Sequence, residues 1–309
     1  MTQFDLPNFD ACVMDNNYAA ADPKLGFVAV PGSEIAGFKV NKHGLRGPVL
    51  PVKKAPGHFR ILFIGDSTCW GLGVQLEDTF AARASRFIAE DNPESKIEYI
   101  IGALPGYSSY QSKIMLDRLL PMKTDLVVFY VGANNDHTRA RYYKDADIPA
   151  RAARLHTTWH HIRLLRAIES INDILYRKFL RKLRSRDARA RVPIIEFHNN
   201  MIEMINKVIK SGVEALILIP PYSEQRLKRR PTIPKYQDSL KTVAKEFNIP
   251  YIKLQEKFNS EEENLIYFPD LYHFREFGHE ITAQEIRRVV AEERIVELTL
   301  SSDTILSVP

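Results

Sequence analysis

A chain of 309 residues, 45% hydrophobic and 26% charged, is long enough to bury a substantial core in one large domain or two small ones. Two cysteines, Cys12 and Cys69, exclude a disulfide framework and a cysteine-based structural zinc site, and they fit a reducing compartment. The net charge of +5 comes from 43 basic residues mixed with 38 acidic ones, so the basic excess is local and not a general polyanion-binding surface.

The N-terminus, MTQFDLPNFDACVMDNNY, has neither the basic start nor the apolar stretch of a signal peptide, and no run is long enough to cross a bilayer. As written the chain reads as cytoplasmic, or as secreted or periplasmic if an upstream segment has been removed. Residues 1–57 are rich in Gly, Pro, Asn and Asp, and the patches GFVAVPG and AGFKVNKHG predict loops and a small hairpin laid on the main domain. RILFIG (60–65) is the first buried strand, followed by the helix-period segment QLEDTFAARASRFIAED. IEYIIG (97–102) and DLVVFYVG (125–132) are the second and third strands, with the helical segment YSSYQSKIMLDRLLPM between them. Residues 137–191 interrupt the alternation with helical periodicity throughout, which predicts an insertion leaving the sheet after the third strand. The pattern then resumes: a helix over PIIEFHNNMIEMINKVIKSG, strand EALILIP (214–220), helix YQDSLKTVAKEFN, strand IPYIKL (249–254) and a last helix EFGHEITAQEIRRVVAEER. Continuous apolar strands separated by helices predict an α/β fold, a five-stranded parallel sheet between two layers of helices. Ligands of such sheets sit beyond the carboxyl ends of the strands.

Ser67 falls at that edge, directly after the first strand in RILFIGDST. Alone, Gly-Asp-Ser is an ordinary turn with a capping side chain. The loop after the second strand, ALPGYSS, carries Gly106, and the third strand ends in GANND, with Asn134. FPDLYHFREFGHE then supplies Asp270 and His273, three apart, before the last helix. Each of these is unremarkable by itself, as a Pro-Gly turn, a polar loop or a structural histidine. All four occur in chain order on strand-end loops of one sheet.

In that combination the sequence resembles the GDSL or SGNH hydrolases, named for the Ser, Gly, Asn and His of such blocks. The resemblance covers about residues 58–136 and 192–295 and implies a flavodoxin-like three-layer fold and a serine ester hydrolase. It matches Ser67 to the nucleophile, Gly106 and Asn134 to the second and third blocks, and Asp270 with His273 to the last. VNKHGLRGP, FRILFIGDS and PGYSSYQ further resemble a bacterial branch associated with extracellular or envelope glycans. Three positions depart from the pattern. Asn135 stands where the family has Asp, so the functional amide can be Asn134 or Asn135, and counting from Gly132 favours Asn134. Ile101 stands where an asparagine often precedes the glycine, and the first block reads GDST.

The chemistry asks for the same residue types. A serine hydroxyl needs a base to take its proton, and an imidazole titrates near neutrality, which suits His273 to that task. Asp270 can fix the imidazole tautomer. The oxyanion formed on attack needs donors held in place, which the N–H groups of Ser67 and Gly106 and the Asn134 amide can supply. The expected domain organisation is a single domain: an extension (1–57), a core (58–136 and 192–309) and a helical cap (137–191).

Other clusters carry less. His156 and His160, with His161 adjacent, have helical spacing but no third ligand, and no phosphate loop is present, so neither a metal nor a cofactor is expected. INDILYRKFLRKLRSRDARAR (171–191) predicts a basic amphipathic helix, either packed as a cap or in weak contact with a membrane surface or polyanion. RLKRRP (226–231), after the fourth strand, can border the cleft and favour an anionic glycan or phospho-substrate. Nucleic acid is not an expected partner, because no aromatic binding motif accompanies the basic runs. The functional expectation is an esterase removing an acyl group, such as acetyl, from a carbohydrate or other alcohol. The alternatives are an acyltransferase using the same acyl-enzyme and a catalytically inactive binding protein of the same fold.

Overall fold

The computed structural model describes residues 18–138, 144–150, 190–258, 263–297 and 299. The N-terminal extension forms two short antiparallel ribbons where one hairpin was expected: β1 (Ala19–Asp22) with β2 (Gly26–Ala29), and β3 (Glu34–Ile35) with β4 (Phe38–Lys39). The core then alternates β5 (His58–Gly65), α1 (Ser67–Trp70), α2 (Phe80–Asp91), β6 (Lys96–Ala103), α3 (Ser109–Leu119) and β7 (Leu126–Tyr130). After the insertion come α4 (Ile194–Lys210), β8 (Glu214–Ile219), α5 (Glu224–Arg229), α6 (Ile233–Glu246), β9 (Tyr251–Lys253), α7 (Glu263–Ile266) and α8 (Glu276–Glu292).

The five core strands are parallel and ordered β6-β5-β7-β8-β9. Helix α2 packs with α8, whereas α4 packs with both α3 and α6, so the sheet is covered on both faces. That is why Ile61, Leu62, Phe63 and Ile64 can be consecutive: all four are fully buried, and a strand with two covered faces needs no polar side. Helix α4 shows the complementary helical logic, burying Phe197, Met201, Met204, Ile205 and Val208 at spacings of three and four. The strand order reverses between β5 and β7, which opens a crevice at their carboxyl ends. Ser67 follows one of these strands and Asn134 the other.

The extension is part of this core. Leu25, Phe27, Ile35, Val40 and Leu45 join the main hydrophobic cluster, and the Tyr107 hydroxyl donates to the Phe27 carbonyl at 2.9 Å. Arg46 is 3% exposed, and its guanidinium donates to the carbonyls of Trp70 (3.0 Å), Gly71 (2.6 Å) and Val74 (2.7 Å) while stacking on the rings of Phe38 and Trp70. These carbonyls end α1 and begin the following turn, so the extension satisfies polar groups that burial would otherwise leave open.

Most of the 137–191 insertion, including His156, His160, His161 and nearly all of the basic segment 171–191, lies outside the described residues. Its two ends are described and meet each other. Asp145 accepts from Arg191 Nε (3.0 Å) and Nη2 (2.8 Å), and the Asp145 N–H donates to the Arg191 carbonyl (3.1 Å). Among the described residues no helix is long and apolar enough to cross a membrane.

Candidate active site

The turn from β5 to α1 places Ser67. Gly65 is required there: a Cβ would come within 2.5 Å of both the Cys69 Cβ and the Tyr130 carbonyl oxygen. Asp66 caps the helix, its carboxylate accepting from the Thr68 N–H at 2.9 Å. Burial pushes the Asp66 carboxyl up to about 6, against the pull of the Thr68 amide and of the neighbouring His273 and Arg226.

On the opposite side of the crevice, Asp270 folds its own turn. Its Oδ1 accepts from the backbone N–H groups of Tyr272 (3.1 Å) and His273 (3.0 Å), and Leu271 adopts the left-handed conformation, φ 66°, that the turn needs. The Phe268 N–H donates to the His273 carbonyl (2.9 Å) and closes the loop, while Asp270 Oδ2 remains for the side chain of His273. The result is a continuous chain: Asp270 Oδ2 to His273 Nδ1, 2.7 Å, and His273 Nε2 to Ser67 Oγ, 2.7 Å. A carboxylate only accepts, so Nδ1 carries the proton and Nε2 accepts from the serine hydroxyl. The partial enclosure of Asp270 beside His273 would by itself raise its carboxyl. The hydrogen bond from His273, with the two backbone amides, outweighs it and holds the group below the usual carboxylate range. Ser67 and His273 are buried, whereas Asp270 is exposed.

Gly106 sits in a turn with φ 92°, a conformation open to glycine, and its carbonyl accepts from Arg191 Nη1 at 2.9 Å. Ser108, two residues on, donates from Oγ to Asp145 at 2.6 Å. The loop carrying Gly106 is thus gripped by the stem of the insertion. Among the described residues, neither the Ser67 nor the Gly106 N–H is committed to another group.

The two asparagines after β7 do different things. Asn135 is buried and its Nδ2 donates to the Tyr107 carbonyl at 2.8 Å, joining the third-strand loop to the second. Asn134 is half-buried, and its Oδ1 accepts from Arg226 of α5. Asp136 completes the loop by accepting from the Ser109 N–H at 2.8 Å, and burial pushes its carboxyl up to about 7 despite hydrogen bonds from Ser109.

Arg226 and the Asp145–Arg191 pair were not singled out from the sequence. Arg226 belongs to the run RLKRRP, but nothing in that run separates it from Lys228, which is largely exposed. Among the described residues no group of three or more His, Cys, Asp or Glu side chains could hold a metal ion. A surface groove bordered by Glu214, Lys245, Tyr251 and Arg288 lies at the opposite edge of the sheet, beside the starts of β8 and β9, away from Ser67.

A profile of the GDSL-like Lipase/Acylhydrolase family matches residues 63–281, more than half of the chain and the whole stretch from Ser67 to His273. The chain belongs to this family. As a GDSL-like acylhydrolase it is an enzyme that acts on ester bonds. Solved structures share its fold at low identity. The lipase/acylhydrolase from Enterococcus faecalis is 18% identical with a TM-score of 0.52, covering 76% of this chain and 96% of that one. A catalytic mutant of Axe2, an acetylxylan esterase from Geobacillus stearothermophilus, is 17% identical with a TM-score of 0.51 over 76% of this chain and 95% of that one. LAE5, an α/β hydrolase enzyme from the metagenome of Lake Arreo, Spain, is 15% identical with a TM-score of 0.52 over 79% and 98%. No curated protein sequence matches the chain. These neighbours support the three-layer α/β fold of a GDSL-type hydrolase around the five-stranded sheet.

Proposed function

We propose that this GDSL-type hydrolase removes a short acyl group, acetyl in the first instance, from a carbohydrate alcohol through an acyl-enzyme on Ser67. The observation that carries the reading is the Ser67–His273–Asp270 chain, two contacts of 2.7 Å in a tautomer suited to proton transfer. In this mechanism Ser67 Oγ bonds to the ester carbonyl carbon as its proton passes to His273 Nε2. The tetrahedral oxyanion meets the N–H groups of Ser67 and Gly106 and the Nδ2 of Asn134. Collapse breaks the bond to the alcohol, which leaves with the proton from His273. Water, deprotonated by the same nitrogen, then releases the acid and restores Ser67. Asp270 keeps its charge throughout and stabilises the imidazolium.

The acetyl and carbohydrate assignments draw on Axe2, whose name is that of an acetylxylan esterase, and on the likeness of VNKHGLRGP and PGYSSYQ to a glycan-associated branch. The reading takes the chain as one domain with residues 137–191 as a cap on the substrate side. The junction of Asp145 and Arg191 with the Gly106 loop supports that placement.

The test is labelling with a serine-directed fluorophosphonate followed by an acyl-length series on sugar esters. Labelling at Ser67, lost in Ser67→Ala, with kcat/KM highest for acetyl, is the expected result. Turnover that survives Ser67→Ala would remove Ser67 as nucleophile. Acyl groups recovered on an added sugar instead of in water would make the enzyme a transferase.

A further inference from the structure

Arg226 is an unusual cation. It is 8% exposed, and among the described residues no carboxylate lies within ion-pair distance of it. Its Nε is buried without a hydrogen-bond partner. Burial lowers its affinity for its proton, only partly offset by the charge of Asp270, and a buried guanidinium in no direct ion pair is costly to a fold. What it does touch is specific. One nitrogen donates to Asn134 Oδ1, and its Cζ lies over the Tyr272 ring, 4.1 Å from the centroid. The Tyr272 ring in turn lies 4.0 Å from that of His273. Arg226 therefore joins the loop after β7 to the loop that carries His273.

We propose that Arg226 is the positioning residue of the oxyanion hole, an inference that rests on the catalytic reading of Ser67, His273 and Asn134 above. A primary amide can present either end to a substrate, and the wrong end would set a carbonyl oxygen against the oxyanion. A guanidinium has five donors and no acceptor, so it binds only Oδ1. That contact turns Nδ2 away from Arg226, toward the Tyr272 phenol that the Asn134 side chain also hydrogen-bonds, and leaves its second N–H for the reacting carbonyl. The stack on Tyr272 fixes the guanidinium itself, and with it the spacing between donor and base. Its positive charge, held off any direct carboxylate contact, also favours the negative charge that develops nearby.

The test is a double-mutant cycle on the intact protein with a simple acetyl ester. Arg226→Gln is expected to lower kcat by about 10- to 100-fold, less than the loss of an oxyanion donor itself, with KM changed less than about 3-fold. In an Asn134→Ala background the same change is expected to cost less than about 3-fold, because the amide it orients is gone. Arg226→Lys, which keeps the charge without the planar fork, is expected to restore part of kcat, and it carries the cycle if the Gln variant does not fold. Losses that multiply in the double variant, or a kcat within about 3-fold of wild type for both substitutions, would overturn the proposal. A rise in KM confined to anionic esters, with kcat unchanged, would overturn it in favour of a substrate-charge site. Phosphonate labelling of Ser67 separates the two levels. Wild type that is neither labelled nor active defeats the catalytic reading and this inference with it, whereas normal labelling with multiplying losses defeats only the role of Arg226.

Discussion

Ser67 and Asn134 stand at the ends of adjacent strands, β5 and β7, and are held in different ways. Ser67 is placed mainly by its sequence neighbours: Gly65 allows the tight turn, Asp66 caps the helix, and the Leu72 N–H donates back to the Ser67 carbonyl at 2.9 Å. One distant clamp, Arg46, closes the far end of that short helix. Asn134 has no comparable local frame for its side chain. Its amide meets Arg226, 92 residues along the chain, and the neighbouring Gly106 loop meets Arg191, 85 residues along. A nucleophile needs a sharp, rigid turn, which local geometry can supply. An oxyanion hole must converge from several loops, so its parts beyond the Ser67 turn depend on long-range contacts.

The largest expected effect tests the locally built side. Ser67→Ala should reduce kcat by about 10⁴-fold or more without unfolding the protein, read from ester hydrolysis and a thermal melt. The next tests the convergent side. Asn134→Ala should lower kcat by roughly 10²- to 10³-fold at nearly unchanged stability. Asn135→Ala should instead cost about 1–3 kcal/mol in denaturant unfolding, since it strands the buried Tyr107 carbonyl, with a smaller direct effect on kcat. The reverse ranking in kcat would move the oxyanion role to Asn135.

Arg191→Met addresses the other long-range clamp. It leaves Asp145 buried without its bidentate partner, so a loss of about 3 kcal/mol is expected, together with a kcat several-fold below wild type as the Gly106 loop loosens. Unchanged kcat in folded Arg191→Met would show that the Gly106 turn, like that of Ser67, is placed by its own residues.

The last test is one of pH. Asp136 is buried with its carboxyl at about 7, against 3.8 for the free group, so the folded state holds its proton more tightly than the unfolded chain. Its contribution to stability is complete below about pH 3.8 and is lost as pH rises towards 7. Asp136→Asn should therefore gain on wild type over that range, measured as the difference between two urea-unfolding series. A difference independent of pH would show that Asp136 ionises normally and that the Ser109 contact compensates its burial.

Much of this architecture was legible in the sequence. RILFIG, IEYIIG, DLVVFYVG, EALILIP and IPYIKL are the cores of β5 to β9, because a strand covered on both faces needs an unbroken apolar run. The same alternation put Ser67, Gly106 and Asn134 on one edge, and the D-x-x-H spacing brought Asp270 and His273 into one turn. The second ribbon of the extension was missed, since β3 and β4 are two residues each, too short for any periodicity to register. The choice between Asn134 and Asn135 could not be made from their order alone, because it depends on which side chain meets Tyr107 and which meets Arg226.

By itself, then, the sequence determined the features that arise between near neighbours: buried strands, helix periodicity, the capped turn before Ser67 and the pairing of Asp270 with His273. Tertiary structure decided the rest. The 2.7 Å contact between His273 and Ser67 spans 206 residues, and the clamps by Arg46, Arg191 and Arg226 span 28, 85 and 92. A buried arginine and a solvated one are written with the same letter, and they differ only in the carbonyls, rings and amides that the fold brings to them.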